Sequence, residues 1–473
     1  MTETARTEKK TWEDLPLLWQ AKRWHEQNGN IPFLIFTICG ETDMNVIFIS
    51  NYWHFPSEKA SSRYHTLAEM CVSRGHDVEV LTSSFYHTAK QQRDLSLGKN
   101  DPGTLSYRVT LLHTPGYAKN ISLARVYDHH IFAKAVIQSL RTRWRTGRMA
   151  DVIYLFVPPT ELADRVVQFA NRNGIRVVID ILDLWPKAFE TIGGKQATRL
   201  LLFPMYRQIR AAYRGADGIA AVSVHNAAEA LRENRKVKEA VCVPIGISLS
   251  LFDRAAKNAR PLQGKLRPIT MVYIGMLGKS YDLLGVLQVM RLLQKEGQND
   301  AELLVMGDGP DLEKLKAEAR RYDLPVRFAG RLSYEEMVRQ LVGCDIALNV
   351  LVPGASGTVI NKHADYAAAG LPIINAQSDT EFDEMLAAFG AGISCAPGNY
   401  SAMAHAVMCL CADEKLRLEM GKGSRRLAEQ CFDREKTYPR LIRLLEEKNS
   451  VSERDTPIKQ EITRTEESTG AGR

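Results

Sequence analysis

Two successive series of short β-branched segments, each separated by stretches of helical periodicity, limit the folds open to this 473-residue chain. The first series lies between residues 45 and 223, and the second lies between 269 and 396. Strands that alternate with helices in this way are typical of βαβ units and of a parallel sheet covered on both faces. The pattern therefore predicts an α/β protein with two doubly wound, Rossmann-like domains that face a central cleft, where ligands bind in this class.

Composition restricts the class of protein further. The chain is 45% hydrophobic and 25% charged, which is the balance of a soluble globular protein. A net charge of +7 over this length does not indicate a nucleic-acid partner. Eight cysteines without a C-x-x-C pair favour reduced thiols, and the early apolar run at 31–39 is shorter than the roughly 20 residues that span a bilayer. We therefore expect a cytoplasmic protein.

The same patterns predict the domain boundaries. Met44 stands directly before the first strand pattern, so the residues before it are interpreted as an extension that need not be functional. The end of the chain contains almost nothing to bury, which predicts disorder. The predicted units are an extension (1–43), an amino-terminal domain (44–255), a polar linker (256–267), a carboxyl-terminal domain (268–430), a helix packing back on the first domain (431–448) and a tail (449–473).

Two glycine turns follow predicted strands of the second series. The turn GMLGKS (275–280) has two residues between its glycines where a P-loop has four, so it does not indicate a P-loop nucleotidase. Its backbone N–H groups and Lys279 could bind an anion, and the alternative is a solvated loop lysine. The turn MGDGPD (306–311) is interpreted as a simple turn, with Asp311 as the N-cap of the next helix.

The most informative segment is GASGTVINKHADYAAAGLP (354–372). Gly354, Ser356 and Gly357 form a small loop before a helix predicted to begin near Asn361, so amide groups and the positive helix end can converge on phosphate oxygens. Asp365 follows Asn361 by one helical turn and lies within reach of a ribose attached to such phosphates. The alternative is a surface aspartate on an amphipathic helix.

These residues resemble glycosyltransferase family 4, the retaining enzymes with the GT-B fold. The helix NKHADYAAAGLPII is similar to the donor-site helix of that family, and IDILDLWP (179–186) is similar to a signature of polysaccharide-assembly transferases. Further segments resemble the family in the same order along the chain, from about Met44 to Glu447: RYHTLAEMCVSRGHDVEVLT, ADGIAAVS, VPIGIS, YIGMLGK, MGDGP, VRFAGRLSYEEM and CDIALNVL.

The resemblance implies roles on the donor side. Gly278 and Lys279 would meet the donor diphosphate, where the lysine balances charge that grows on the leaving group. Asp365 would take the place of the second acid of an E-x7-E motif and accept hydrogen bonds from the ribose. The first acid of that motif is replaced by Gly357, so the amides from Ser356 to Thr358 would hold the donor together with Gly354 and Asn361. The arginine expected after Gly275 is replaced by Met276.

On the acceptor side, the resemblance places the loop NYWHFPSEKASSR (51–63) between the two domains. Tyr52, Trp53 and His54, together with Arg63, would form an acceptor wall, and the alternative is that these bulky side chains only cap the sheet. Asp183 lies near the position of a catalytic histidine in many family members. It would orient the acceptor or stabilise positive charge at the anomeric carbon, and the alternative is an N-cap before LWP.

The predicted function is therefore a retaining hexosyl transfer from an NDP-sugar, UDP- or GDP-linked and without a required metal, to a lipid-linked or polysaccharide acceptor in surface-glycan (O-antigen, capsule or exopolysaccharide) synthesis. The basic stretches RTRWRTGR (141–148) and Arg207, Arg210 and Arg214 suggest a peripheral site on the inner face of the plasma membrane, or a solvated basic face. Two alternatives remain, a nucleotide-sugar epimerase of the same fold and a degenerate, non-catalytic sugar-nucleotide-binding subunit.

Overall fold

The computed structural model describes residues 44–58, 62–94, 105–148, 150–190, 194–257, 268–298, 300–355 and 359–447. The strands within these ranges form two parallel sheets and one small hairpin. In chain order they are β1 (Asn45–Ser50), β2 (Asp77–Ser83), β3 (Phe85–Tyr86), β4 (Gln91–Gln92), β5 (Arg108–Leu112), β6 (Val152–Val157), β7 (Arg176–Ile181), β8 (Gly218–Ala221), β9 (Val241–Cys242), β10 (Ile269–Ile274), β11 (Ala301–Met306), β12 (Val326–Gly330), β13 (Ile346–Val350), β14 (Ile373–Ala376) and β15 (Gly392–Ser394).

The α-helices cover both faces of the two sheets. In chain order they are α1 (Arg63–Ser73), α2 (Leu123–Arg145), α3 (Thr160–Arg172), α4 (Lys195–Leu201), α5 (Phe203–Gly215), α6 (Val224–Glu233), α7 (Leu249–Lys257), α8 (Leu283–Lys295), α9 (Leu312–Arg321), α10 (Tyr334–Leu341), α11 (Asn361–Ala368), α12 (Glu381–Phe389), α13 (Tyr400–Ala412), α14 (Glu414–Leu427), α15 (Arg434–Thr437) and α16 (Pro439–Glu446). Side chains at several N-termini accept a backbone N–H, as Ser62, Ser122, Ser223 and Ser333 do.

Both large sheets reverse their strand order near the middle. The amino-terminal sheet has the order β5-β2-β1-β6-β7-β8-β9, and the carboxyl-terminal sheet has the order β12-β11-β10-β13-β14-β15. The chain therefore winds outward in both directions from β1 and β6 in one sheet and from β10 and β13 in the other. In doubly wound sheets the crevice for ligands lies at this switch point, outside the carboxyl ends of the strands. The predicted fold class, two doubly wound parallel domains, is confirmed.

The strand sequences explain why the sheets are covered on both faces. In each of β6 and β7 all six residues are buried, and apart from Arg176 and Asp180 in β7 they are apolar or aromatic, as expected for a parallel sheet covered on both faces. The final helix crosses back to the first sheet, where Tyr438 and Leu441 pack in one core with Phe48 and Tyr154. The sequence did not predict the β3–β4 hairpin or β9, because pieces of two residues carry no periodicity.

Candidate functional site

A cleft of about 1220 Å³ separates the carboxyl ends of the two sheets. Its amino-terminal wall comes from the loop after β7 and from the start of α6. Its carboxyl-terminal wall comes from the turns after β10, β11 and β12, the start of α11 and the loop after β14. The polar and charged side chains that line it are Thr88, Asp183, Lys187, Glu190, His225, Asn226, Tyr281, Asp308, Arg331, Asn361, Lys362, Asp365, Ser378 and Asp379.

Glycine turns form the floor of the carboxyl-terminal wall. Gly307 follows β11 with φ +154°, and a Cβ there would lie 1.8 Å from the carbonyl oxygen of Gly275, at the end of β10. The two turns can therefore pack against each other only if Gly307 has no side chain. Both glycines line the cleft, so backbone rather than side chains bounds this part of the site. Asp311 precedes α9 as predicted, but its side chain does not cap the helix.

The start of α11 brings two predicted donor residues into the cleft. Asn361 and Asp365 both line it, one helical turn apart. The Asp365 carboxylate accepts a hydrogen bond from the Tyr334 hydroxyl at 3.1 Å, which orients it. Gly354 lies on the surface at the edge of the same region, with φ +78° and its N–H donating to Ser378 Oγ at 3.0 Å. Ser356, Gly357 and Thr358, also predicted at the donor, fall outside the described residues.

Lys362 is the cleft residue that sequence reasoning missed. Its side chain is only 7% exposed, and its Nζ lies 3.9 Å and 4.0 Å from the ring centroids of Tyr273 and Tyr281. Burial lowers the pKa of this lysine well below its usual range. The sequence did contain one signal for this residue. A lysine in the first turn of a helix is unfavourable next to the positive end of the helix dipole, which suggests that it has a function there.

The predicted cation Lys279 has a different environment. It lies in the loop between β10 and α8 as an exposed side chain and is not among the described residues that line the cleft. Gly278 beside it is buried, and its carbonyl accepts the N–H of Tyr281 at 2.9 Å. The role of these two residues at the diphosphate stays a prediction.

Asp183 lies on the opposite wall, just beyond the end of β7. Its Oδ2 accepts the indole Nε1–H of Trp185 at 2.9 Å, so the carboxylate is held at the mouth of the cleft. The next helical turn is a 3-10 helix whose N-cap is Pro186, and so Asp183 is not its N-cap. The carboxylate is accessible from the cleft, yet the surrounding protein removes enough water to raise its pKa.

An aromatic and basic network extends from Trp185 to the first predicted acceptor residue. The Arg125 guanidinium lies 4.5 Å from the Trp185 ring centroid and donates to the Tyr52 hydroxyl at 2.8 Å. The same hydroxyl is 2.8 Å from His129 Nε2. Burial lowers the pKa of His129 to about 3, with Arg125 and His87 adding to the effect, so this histidine is neutral at physiological pH. Tyr52 therefore lies behind the cleft wall and is joined to it through Arg125.

The structure corrects the proposed roles of two acceptor-side residues. Trp53 is 0% exposed and packs in the core of the first sheet, so it cannot contact an acceptor. Arg63 is 3% exposed and forms a two-point ion pair with Asp180. The third guanidinium nitrogen, Nη1, donates to two backbone carbonyls, so all three nitrogens of Arg63 form hydrogen bonds inside the fold. His54 remains near the cleft, with Nε2 3.5 Å from Thr88 Oγ1.

Contacts between described residues join the two walls across the cleft, and in one of them His225 Nδ1 lies 3.6 Å from the Asp379 carboxylate. The carboxylate of Glu381, at the start of α12, accepts the backbone N–H groups of Val224 and His225 at 2.8 and 3.2 Å. These amides belong to the first turn of α6, where the helix dipole favours a negative charge. Burial nevertheless raises the pKa of Glu381 to about 7, with Asp379 adding to the shift.

Within the described ranges, no group of three or more His, Cys, Asp or Glu side chains is arranged to hold a metal ion. In the same part of the chain, every helix is too short or too polar to cross a membrane.

Comparisons with known proteins match both halves of the chain. The family described as Glycosyl transferase 4-like domain matches residues 60–246, and Glycosyl transferases group 1 matches residues 256–427. No curated protein sequence matches.

Several solved structures share the fold at low sequence identity. HepE from Anabaena, solved in complex with UDP, is 13% identical with a TM-score of 0.61 over 85% of this chain and 100% of its own. Sucrose-phosphate synthase from Thermosynechococcus elongatus is 15% identical, with a TM-score of 0.62 over 85% and 98%. WaaG, a glycosyltransferase of lipopolysaccharide biosynthesis, is 14% identical, with a TM-score of 0.58 over 85% and 99%.

Proposed function

The chain belongs to the glycosyltransferases of the GT-B fold, with a glycosyltransferase 4-like domain followed by a group 1 domain, and on that premise we propose that it transfers a hexosyl group from an NDP-sugar. The observation that carries this proposal is the cleft itself. One wall presents Asp365 and the first turn of α11, and the other presents Asp183. The fold is shared with HepE, which was solved with UDP and with UDP-glucose.

The proposed chemistry assigns the donor to the carboxyl-terminal wall. Asp365, oriented by Tyr334, accepts the ribose hydroxyls, while the start of α11 directs its first N–H groups at the diphosphate. The glycine turns leave room for the diphosphate, since the N–H groups of Gly275 and Gly307 donate to backbone carbonyls within the fold. When the bond from the sugar to the diphosphate breaks, negative charge grows on the leaving group, and these donors stabilise it. We propose retention of configuration, with the diphosphate helping to deprotonate the acceptor on the same face of the sugar.

Asp183 faces the reacting sugar from the other wall in this proposal. A carboxylate held by the Trp185 indole can orient an acceptor hydroxyl or stabilise positive charge at the anomeric carbon. We propose a lipid-linked or polysaccharide intermediate of surface-glycan synthesis as the acceptor, reached from the cytoplasmic face of the membrane. Tyr52 and His54 support the same wall through their contacts with Arg125 and Thr88.

We propose a different membrane-facing surface from the basic stretches that the sequence predicts. Arg210 and Arg214 both pair with Glu233, which cancels part of their charge. Large apolar side chains are exposed instead in two segments, each residue between 58% and 86% exposed. They are Ile121, Leu123, Val126, Tyr127, Leu200, Leu201 and Phe203, and we call them the apolar rim.

Contacts around Trp185 connect the two segments of the apolar rim. The Trp185 ring lies against Arg125 on one side and 5.1 Å from the Phe189 ring on the other, and the Phe189 carbonyl accepts the Thr198 hydroxyl at 3.5 Å. Five basic residues and no acidic one occur from 191 to 214, and three of the five, Arg199, Arg210 and Arg214, pair with Glu190 or Glu233 outside this segment. Exposed apolar groups with basic neighbours suit an anionic lipid surface, and this one adjoins the cleft.

Vesicle binding tests this surface. A Leu200→Ser, Leu201→Ser double variant should lose most of its co-sedimentation with vesicles in which about one third of the lipid is phosphatidylglycerol. The two leucine side chains would no longer gain free energy by burial in the lipid. Leu418→Ser removes a leucine of similar exposure (59%) from α14 and should bind as wild type. Equal binding by the double variant and the control would refute docking through the apolar rim.

The transferase proposal is tested with the donor. A thermal-shift screen against UDP-, GDP-, ADP- and CMP-sugars should raise the apparent melting temperature for one nucleotide class, because a ligand that binds only the folded state stabilises it by mass action. Asp365→Asn should lose that shift, and Asp164→Asn, the same change on α3 outside the described cleft lining, should keep it. If no donor shifts the melting temperature, the proposal is wrong.

Two further outcomes separate the alternatives. Rapid conversion of the donor to a different nucleotide sugar without acceptor would identify an epimerase instead of a transferase. For an enzyme, Asp365→Ala should truncate the cellular glycan. An unchanged glycan would favour a non-catalytic subunit.

A further inference from the structure

Lys362 occupies an unusual environment at the centre of the proposed donor site. It is the second residue of α11, and its Nζ lies between the rings of Tyr273 and Tyr281. Among the described residues this nitrogen has no hydrogen-bond partner, although the side chain lines the cleft. Nearly every buried polar group in proteins has a partner, so an orphan that faces a cleft points to a ligand.

Electrostatics at this position favour an anionic ligand. The ammonium group is desolvated at the positive end of a helix, and both effects oppose its charge. The two tyrosine rings compensate only in part, because a cation over an aromatic face gains less than it loses when it leaves water. A packing role alone would be met by methionine or leucine. A negatively charged group at Nζ would supply both the missing partner and the missing counter-charge.

The geometry also places Nζ where a diphosphate would pass. A Cβ built on Gly275 would lie 3.4 Å from Nζ, so the ammonium is beside the backbone at the end of β10. That strand is at the switch point of the carboxyl-terminal sheet, and Asp365 lies three residues further along the same helix. The next side chain after Gly275 is the uncharged Met276, and Lys279 is outside the described cleft lining.

We propose that Lys362 binds the diphosphate of the nucleotide-sugar donor and is the principal cation for the leaving group, an inference that rests on the proposed function. Lys279 then makes at most a secondary contribution from the loop. The tyrosine pair holds the Lys362 side chain in position before the donor arrives. As the glycosidic bond breaks, its electron pair moves to the diphosphate oxygen, and Lys362 stabilises the charge there.

Binding should also change the protonation of Lys362. The titratable groups that face or adjoin Nζ are Tyr273 from β10, Tyr281 from the following loop and His363 on α11. Burial raises the pKa of both tyrosines and lowers that of His363, so all three stay neutral near pH 8. Burial lowers the pKa of Lys362 in the free protein, and an anion raises it again. The nucleotide should therefore bind with uptake of a proton.

The test uses the full chain, titrated calorimetrically at pH 8 with UDP, GDP, ADP and CDP and with the matching nucleosides. For the diphosphate that binds wild type, Lys362→Met should weaken affinity about 10- to 100-fold, the usual effect of losing a charge-assisted contact. Affinity for the nucleoside should change less than about threefold by the same reasoning, because no charged contact is lost. Lys279→Met is the competing variant, and Lys295→Met, which removes an exposed lysine at the end of α8 outside the described cleft lining, is the matched control.

Proton uptake supplies a second readout that misfolding cannot imitate. The observed binding enthalpy of wild type should depend on the ionisation enthalpy of the buffer, with Tris and phosphate as the pair, and that of Lys362→Met should not. Nucleoside binding by Lys362→Met reports that the variant is folded.

The outcomes separate the inference from the function on which it rests. Equal diphosphate affinity in Lys362→Met and wild type overturns the role of Lys362, and a loss only in Lys279→Met assigns the cation to the loop instead. If wild type binds none of the four diphosphates, both the proposed function and this inference are wrong.

Discussion

Arg63→Met distinguishes a structural arginine from one that binds an acceptor. Nε and Nη2 of Arg63 donate to the two carboxylate oxygens of Asp180 at 2.9 and 3.0 Å, and Nη1 donates to the carbonyls of Val243 and Pro244. The pair lies within the amino-terminal domain, with both side chains at most 2% exposed.

The magnitude follows from what the substitution leaves behind. Without the guanidinium, the buried Asp180 carboxylate keeps the hydrogen bond that it accepts from the Tyr154 hydroxyl at 3.0 Å. Removing one partner of a buried ion pair costs about 3–5 kcal/mol, because the other charge stays desolvated. The double variant Arg63→Met, Asp180→Leu removes both charges and should recover most of that loss. Arg74→Met breaks a surface pair with Glu446 and should cost less than about 1 kcal/mol.

Urea unfolding followed by tryptophan fluorescence measures these differences. Trp53, Trp144 and Trp185 lie in the amino-terminal domain and no tryptophan follows them in the sequence, so a cooperative change in the signal reports that domain and not the carboxyl-terminal one. For a slope of about 2–3 kcal/mol per molar, Arg63→Met should lower the midpoint by about 1–2 M. A wild-type midpoint combined with a raised KM for acceptor would refute the reasoning and restore Arg63 to the acceptor wall.

Three other predictions follow from the site. The pKa of Glu381 is raised to about 7 in the contact across the cleft, so that contact should be strongest below about pH 4.5 and weaken as pH rises through 7. A fluorescence pair across the cleft should report this, with a smaller pH dependence for Glu381→Gln because only the His225–Asp379 pair then titrates, and equal pH dependence in the variant and wild type would contradict it. Asp183→Asn should lower kcat by about 100-fold and remove the acid limb of the pH–rate profile, because the carboxylate is lost. Wild type should lose activity as pH falls below the raised pKa of Asp183, and an unaltered limb in the variant would exclude this residue. Gly307→Ala should destabilise the carboxyl-terminal domain by more than about 2 kcal/mol in thermal unfolding, since its Cβ would meet a carbonyl at 1.8 Å. Gly390→Ala, where nothing lies within 4 Å, should cost about 1 kcal/mol, and equal losses would refute the clash.

Much of the donor region could be predicted from sequence because its signals are local. The spacing of Asn361 and Asp365 is a property of one helix, and the structure has both residues in the cleft. The glycine turn that carries Lys279 is an equally local signal. Whether Lys279 lines the cleft depends instead on how the whole chain packs. Lys362 was missed because its aromatic neighbours come from β10 and the loop after it, about 80–90 positions earlier.

On the acceptor side, by contrast, the sequence did not predict which side chains face the cleft. Tyr52, Trp53 and His54 are adjacent in sequence, but Tyr52 bonds to Arg125, Trp53 is buried in the core and His54 approaches Thr88. Consecutive residues in an irregular loop have no fixed period, so nothing local determines which side chain points inward. The role of Arg63 depends in the same way on Asp180, which is distant in sequence.

The sequence by itself determined the fold of two doubly wound sheets, because hydrophobic period and strand length are local and repeat along the chain. The strand order, and with it the glycine turns that face the cleft, depends on pairings between distant segments that the sequence did not predict. Only the tertiary structure decided the charges within that cleft. Burial, ion pairing and pKa depend on neighbours that folding brings together from distant segments, as Lys362, Glu381 and Arg63 each show.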